Sequence, residues 1–599
     1  MTLVVEPKQQ TKPATAGYLL PASLRNFVRT RETGVVAVAV IIGLLSGLLV
    51  AIISRMSQIA HALLFDIPTT AHLSATAAIS WQRLLFVPII GGVVLAIMGV
   101  VFVVRRKGQL ADAIEANALY GGRVSFRGSM LISLQTLLSN GFGGSVGLEA
   151  GYTQICAAFS SHIGQRLAAR RSDMRLLVAC GAAGAISAAF SAPLAGAFYA
   201  FEVVLGAYTS AGLVPVIASA VSAWLVARHL THQSFLLVPG FPSPVSVEMI
   251  GQTVLLGVIC AFASIGLMLA VAFAERAFLR ITIFKGRLRP IIGGALLGVL
   301  ALLTTPIVLG AGHGAMQILL VSNPTWLLLT TTILLKVAAS AISLGSGFRG
   351  GLFFASLLLG ALIGQLYSTL TGFAFPTLAL QPGTAAIAAL AALGTGVLGA
   401  PFSMVCLALE ITGDVSVTVG AVVASSVAAL IVRELFGYSF ATWRFHLRGE
   451  VIRGPQDVGW IRQFSAMSLM RSDFDIAPSV MSITEAQKLY PPGRIKQLVL
   501  RDPNGIYAGI VSSADLHSAA HPDEAMLETL AHQRDEFLLP DANVRDIMAA
   551  FERTETDVLV VVDRKEYRIA VGTVSETHVL RTYSEELERR NQEVFFRSS

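Results

Sequence analysis

Long stretches of this chain carry no Asp, Glu, Lys or Arg. They run over residues 33–54, 84–104, 176–201, 203–227, 249–274, 291–335, 350–409 and 415–432. Each is long enough for a membrane span of ~20 residues, and the longest must hold several. The 599-residue chain is 54% hydrophobic and only 14% charged, whereas soluble globular proteins run near ~25% charged. An integral membrane protein follows, and the net charge of +7 fits its topology bias rather than nucleic-acid binding.

Within this apolar background Glu149 stands alone. No charged residue occurs between Arg127 and Glu149, or between Glu149 and Arg166. A lone carboxylate in hydrocarbon costs on the order of ~2.5–3.5 kcal/mol by insertion scales, so it should line a polar pathway. It lies in the run Gly143-Gly144-Ser145-Val146-Gly147-Leu148-Glu149-Ala150-Gly151. Glycines let backbone N–H groups approach a ligand closely, and a helix starting there turns its positive end inward. The reading is an acidic gate beside an anion-binding helix N-terminus.

Residues 1–32 are polar, contain Pro7, Pro13 and Pro21, and lack the short apolar core of a secretory signal. Clusters at Arg105-Arg106-Lys107, Arg166 with Arg170-Arg171, and Arg444 with Arg448 mark expected cytoplasmic edges. Cys156, Cys180, Cys260 and Cys406 sit in apolar segments and are expected as free buried thiols. After about residue 444 charge becomes frequent, apolar runs shorten and turn signals such as Asp502-Pro503-Asn504-Gly505 appear, which predicts a soluble cytoplasmic domain.

The membrane part repeats itself. Pro193 precedes Glu202 by nine positions, and Pro401 precedes Glu410 by the same nine. The glycine run at 143–151 is echoed by Leu344-Gly345-Ser346-Gly347-Phe348-Arg349-Gly350-Gly351. Two copies of glycine loop, apolar helix, proline and apolar helix ending in Glu predict an inverted-repeat transporter with broken helices at the midplane. Positive half-helix ends there favour an anion.

These residues resemble the CLC family of chloride channels and proton-coupled anion exchangers over roughly residues 30–450. Gly147-Leu148-Glu149-Ala150-Gly151 matches the family's gate signature without its basic residue and proline, and Gln154 holds the expected offset. Gly350-Gly351-Leu352-Phe353-Phe354-Ala355 matches a second signature, again without its proline. Phe190–Glu202 and the stretch 437–449 are also similar. The resemblance implies Glu149 as the external gate. It further implies anion binding at Leu148, Glu149, Ala150, Leu352 and Phe353, with backbone amides near Leu352 and Phe353 coordinating the central anion. The family's anion-binding serine aligns with Gly108, beside Lys107, and its coordinating tyrosine with Ala441, near Tyr438 and Phe440. Both hydroxyls of the usual site are therefore replaced, which leaves chloride, nitrate, bicarbonate and fluoride as candidates. The internal proton glutamate of the exchangers falls on Val203, a residue the family's channel branch often carries.

Lys107 and Arg349 are candidates for attracting the anion, while Lys336, Glu202 and Glu410 read as helix caps or buried pairs. In the tail, Gln497–Leu500 and Tyr507–Leu516 resemble one CBS module, and Thr556–Val562 with Gly572–His578 a second. Ser512 and Asp515 fit the pattern that contacts an adenine nucleotide, while the second copy has His578 where that pattern has Asp.

The expected architecture is an all-α polytopic membrane domain with inverted repeats and broken helices, followed by an α/β CBS pair. Its parts are an N-terminal segment 1–32, a transport domain 33–445 and a tail 446–599, with modules at about 466–520 and 541–589. The expected function is an anion channel or uncoupled conductor gated by Glu149. The alternatives are a proton-coupled exchanger and a membrane-anchored nucleotide sensor with little conductance. An enzyme is disfavoured, because the spans hold no metalloprotease motif or nucleophile elbow, and no metal or required cofactor is expected. The resemblance implies a homodimer. The compact loops point to a bacterial inner membrane, with both termini cytoplasmic.

Overall fold

The computed structural model describes residues 21–582, except 22, 24, 27, 29–30, 77–78, 104–111, 120, 232–246, 283–285, 305, 322–323, 377–378, 441, 444–463, 496, 519–524 and 555. Among the described residues the apolar stretches form two successive sets of helices. The first set is α1 (Glu32–Phe65), α2 (Trp81–Val103), α3 (Ala113–Leu119), α4 (Phe126–Gly141), α5 (Glu149–Arg166), α6 (Arg171–Phe190), α7 (Pro193–Tyr199) and α8 (Ser210–Thr231). The second is α9 (Val247–Leu279), α10 (Arg289–Leu303), α11 (His313–Val321), α12 (Trp326–Ser346), α13 (Phe353–Ala374), α14 (Pro382–Leu398), α15 (Pro401–Thr412) and α16 (Val415–Leu435). Eight of the described helices are long and apolar enough to cross a membrane. Large apolar side chains such as Leu63, Phe273 and Leu303 remain exposed on this surface, as a lipid-facing wall requires.

The sets pack in matching pairs. α1 lies against α8 as α9 lies against α16, and α5 against α6 as α13 against α14. Where the sets cross, α2 meets α10 and α7 meets α15. Glycine makes the α2–α10 crossing close. A Cβ on Gly92 would stand 2.3 Å from the Pro290 oxygen, and one on Gly294 2.2 Å from the Pro88 oxygen. Small residues at such crossings let helix backbones approach where lipid supplies no hydrophobic drive.

Hydrogen bonds repeat the same exchange. The Ser145 amide donates to Ser343 Oγ at 3.0 Å, and the Arg349 amide to Ser139 Oγ at 2.8 Å. Glu202 accepts from the amides of Phe402 and Ser403 at 2.9 and 2.8 Å, and from the Ser403 hydroxyl. Glu410 accepts from the amides of Leu194 and Ala195 at 2.8 and 2.9 Å. Each glutamate thus caps the proline-led helix of the other repeat, satisfying donors that helix geometry leaves open. One asymmetry breaks the pattern: α7 continues as a π-helical turn over Ala200–Leu205 that carries Glu202 and Val203, whereas α15 remains α-helical to Thr412.

The chain divides into two compact units, Met1–Asp457 and Val458–Ser599. The expected boundary at 445/446 lies outside the described residues. The second unit contains β1 (Ile476–Pro478), β2 (Gln497–Arg501) and β3 (Tyr507–Ser512), with β1 parallel to β2 and β2 antiparallel to β3. Its second sheet pairs β4 (Val558–Val562) with β5 (Ala570–Ser575). The amphipathic helix Val544–Thr554 packs Val544, Ile547 and Phe551 against Leu559, Val561 and Val574. All four cysteines are free: Cys156, Cys180 and Cys260 are buried, and Cys406 is partly so.

Candidate functional site

The two glycine loops meet. Gly147 N donates to the Gly351 oxygen at 2.9 Å, and Gly351 N returns a bond to the Gly147 oxygen at 3.2 Å. This bridge brings the starts of α5 and α13 together. Ser125, Thr325 and Asp414 cap α4, α12 and α16 with their side chains, but Leu148 before α5 and Leu352 before α13 provide no such cap. Two helix N-termini, each a partial positive charge, are left facing one locality.

Glu149 opens α5 and is 4% exposed. Its carboxylate folds back over Gly147, so closely that a Cβ there would lie 1.9 Å from Oε2. Oε2 has no hydrogen-bond partner among the described residues. Asn140 holds the loop in place: its amide nitrogen donates to the Val146 oxygen at 2.9 Å, and its Oδ1 accepts from Ser57 Oγ at 2.7 Å.

Cavities lie on both sides of this carboxylate. One, of about 310 Å³, is lined by Leu148, Tyr152, His61, His72 and His313 among others. The second, of about 160 Å³, is lined by Ala150, Thr153, Tyr199, Gly351, Leu352, Phe353 and Phe440. Glu149 is the residue common to both linings. The second cavity in turn shares Ile114, Val203 and Leu398 with a third, of about 270 Å³, that also touches Glu202, Tyr438 and Thr442. The geometry is a succession of three cavities, with the Glu149 carboxylate at the first partition and the apolar side chains of Ile114, Val203 and Leu398 at the second.

Of the residues singled out in the sequence, Glu149, Ala150, Leu352 and Phe353 converge on the central cavity, while Leu148 lies on the histidine side. Lys107, Gly108 and Ala441 lie outside the described residues. Arg349 lines a separate cavity of about 420 Å³, with Glu275 and Arg289, that borders the central one at Gly350 and Phe440. In the second unit Ser512 Oγ donates to Asp515 Oδ2 at 2.6 Å and accepts from the Asp515 amide at 3.0 Å. His532 Nε2 lies 3.4 Å from the same carboxylate.

Sequence reasoning missed several lining residues. Thr153 sits four positions after Glu149, the spacing that puts two side chains on one helix face, and its hydroxyl donates to the backbone carbonyl of Glu149 at 2.9 Å. Tyr199 occupies the repeat position held by Leu407, and that mismatch was the available signal. Asp112 borders the central cavity, but its Oδ1 is taken by the Glu115 amide at 2.7 Å.

Comparison with known proteins places this architecture. The family profile described as voltage gated chloride channel matches residues 103–433. The chain belongs to that family. A voltage-gated ClC-type chloride channel, ClcB, of Shigella flexneri is 32% identical over 374 residues, covering 60% of this chain and 86% of the relative. A putative ClcB-like chloride channel protein of Ralstonia nicotianae is 33% identical over 349 residues, covering 57% and 80%. Two solved folds align with TM-scores of 0.59. One is a slow cyanobacterial Cl⁻/H⁺ antiporter at 18% identity, covering 69% of this chain and 97% of that one. The other is a eukaryotic CLC transporter at 16% identity, covering 91% and 97%, so the likeness of fold extends past the membrane helices. The chain is therefore a multi-pass membrane protein of the CLC anion-transport family, and not an enzyme.

Proposed function

We propose that the protein passes chloride or another small monovalent anion through the row of cavities, with Glu149 as the gate. The observation that carries this reading is the position of Glu149 as the shared wall of the first two cavities. An ionised Glu149 competes with the anion for the uncapped amides of α5 and α13, while protonation or displacement releases them. Leu148, Ala150, Leu352 and Phe353 contribute backbone to that seat. The histidine-lined cavity is assigned to the external side and Val203 to the internal side.

Val203 supports a channel or uncoupled conductor, because a valine at the second partition cannot relay a proton. Glu202 supports the second reading, a proton-coupled exchanger: it touches the third cavity directly beside Val203, although its oxygens also cap α15. Efflux of anion from proteoliposomes, with pH recorded on the same sample, separates the two. Release without proton movement is expected, and uphill proton movement would establish exchange. Glu149→Ala should leave an open, pH-insensitive leak; an unchanged pH dependence in that variant would refute the gate. A nucleotide sensor that conducts little predicts no efflux at all.

The second unit is assigned as a cytoplasmic CBS pair, with Ser512 and Asp515 as the adenine-nucleotide contacts, and the protein as a homodimer in a bacterial inner membrane. Calorimetric titration of the full-length protein with ATP, ADP and AMP tests the nucleotide assignment, and no heat with any of them removes it.

A further inference from the structure

The cavity of about 420 Å³ that Arg349 lines has no part in the proposed gate. One wall is a face of α9, made by Met268, Val271, Ala272, Glu275 and Leu279 at helical spacing. Opposite stand the loop 344–350, the start of α10 at Arg289, and the rings of Phe440 and Trp443. Its level in the membrane follows from the charges. α9 is uncharged from residue 249 to 274 and then carries Glu275, Arg276 and Arg280. α10 mirrors this, because Arg287 and Arg289 precede an uncharged run that begins at residue 291. Both transitions fall at this cavity, so it lies where hydrocarbon gives way to headgroups, and the excess of arginine marks the cytoplasmic face. Leu279 lines the cavity and is also 53% exposed, which opens the cavity onto the lipid-facing wall.

The charged groups here are held in place. Arg289 donates Nε to the Ile281 oxygen and Nη2 to the Leu279 oxygen, each at 3.1 Å. That fixes the guanidinium at the end of α9 and leaves its Nη1 donors without a partner among the described residues. Gly286 takes φ of +77°, and a Cβ there would stand 2.7 Å from the Arg289 Cζ, so the turn is shaped around this side chain. Among the described residues the lining carries Arg289, Arg349 and Glu275, two positive charges and one negative, for a net of +1. A monoanion neutralises that lining, and Glu275 favours one that also donates hydrogen bonds. Basic pockets between membrane helices on the cytoplasmic side suit anionic lipid headgroups, and arginine grips phosphate oxygens two at a time.

We propose that this cavity binds the headgroup of an anionic phospholipid whose phosphodiester carries hydroxyls, the chemistry of phosphatidylglycerol. Arg289 and Arg349 hold the phosphate, and the headgroup hydroxyls donate to Glu275. The acyl chains follow α9 past Leu279 to Phe273, which is 74% exposed. The inference goes beyond the gated pathway and does not depend on it.

The test is native mass spectrometry of the full-length protein in detergent, titrated with phosphatidylglycerol, phosphatidylethanolamine and phosphatidic acid of identical acyl chains. Wild type should hold phosphatidylglycerol about tenfold more tightly than phosphatidylethanolamine, the scale of one charge-assisted contact. Arg349→Gln should lose about tenfold in phosphatidylglycerol affinity. Arg228→Gln, at an arginine of α8 that stacks on Trp224, should lose nothing. Glu275→Gln raises the lining to +2 and should tighten the more highly charged phosphatidic acid about tenfold. Equal affinity of wild type for phosphatidylglycerol and phosphatidylethanolamine overturns the proposal, as does an equal loss in Arg228→Gln and Arg349→Gln, or no loss in Arg349→Gln. Unchanged phosphatidic acid binding in Glu275→Gln overturns it too, and that variant decides alone if Arg349→Gln does not fold. Glycerophosphoglycerol, the same headgroup without chains, should not displace the lipid at equal concentration; displacement would assign the site to a soluble phosphate ester and overturn the lipid.

Discussion

Gly147→Ala isolates the proposed gate from the rest of the fold. The three atoms nearest to a Cβ at this position all belong to Glu149: Oε2 at 1.9 Å, Cδ at 2.9 Å and Oε1 at 3.2 Å. Gly147 does not sit in the left-handed region, so alanine brings no backbone strain there. Ordinary contact needs about 3.5 Å, so the carboxylate must move by roughly 1.6 Å or leave its pose. Overpacking of this kind costs about 1–3 kcal/mol, which shifts the closed pose by roughly 5- to 150-fold. The expected result is a raised basal anion flux in liposomes with a blunted response to pH. The decisive comparison is the double variant: in a Glu149→Ala background the clash has no partner, so Gly147→Ala should add nothing. Wild-type flux and wild-type pH response in Gly147→Ala would refute the reasoning, as would an equal effect in both backgrounds.

Acidifying the histidine-cavity side should raise flux, because the protonated fraction of Glu149 grows as pH falls and the neutral acid no longer competes with the anion; flux against pH in wild type and Glu149→Ala checks this. Glu410→Gln removes the charge from a cap that accepts two amides, and should cost about 1–2 kcal/mol of stability, read as a lower unfolding temperature in detergent with anion flux retained. Gly294→Val drives a side chain into the Pro88 carbonyl and should abolish the folded yield, whereas Gly99→Val, whose Cβ meets nothing within 4 Å, should be tolerated; size-exclusion profiles compare them.

Much of this was legible in the sequence because a membrane restricts what an uncharged run can become. The nine-residue spacing from Pro193 to Glu202 and from Pro401 to Glu410 exposed the repeat, and the reciprocal caps account for why both glutamates stand where they do. The glycine loops pointed to Glu149, since close backbone approach leaves few alternatives to glycine. What stayed hidden depended on three-dimensional juxtaposition. His61, His72 and His313 come from α1, the α1–α2 connection and α11, so no local pattern joins them. The π-helical turn at Ala200–Leu205 was equally silent, because its residues would suit an ordinary α-helix. Arg349, adjacent to the second glycine pair, nevertheless lines a neighbouring cavity, a separation that chain proximity does not reveal.

The reciprocal bonding between the repeats also limits the motions open to this scaffold. The two Gly147–Gly351 bonds, the two serine–amide bonds and the four carboxylate–amide bonds all cross from one repeat to the other. At about 1 kcal/mol each, tilting one half against the other forfeits roughly 8 kcal/mol, which confines such a state to about one molecule in a million. Rocking of halves is thereby disfavoured in this scaffold, and the proposed gate works instead through the swing of the Glu149 carboxylate. A side-chain swing leaves the frame in place, whereas collective domain motion takes about microseconds to milliseconds. Under the proposed gating, the transit time of an ion is set by desolvation and electrostatics along the pathway, with the frame itself held still.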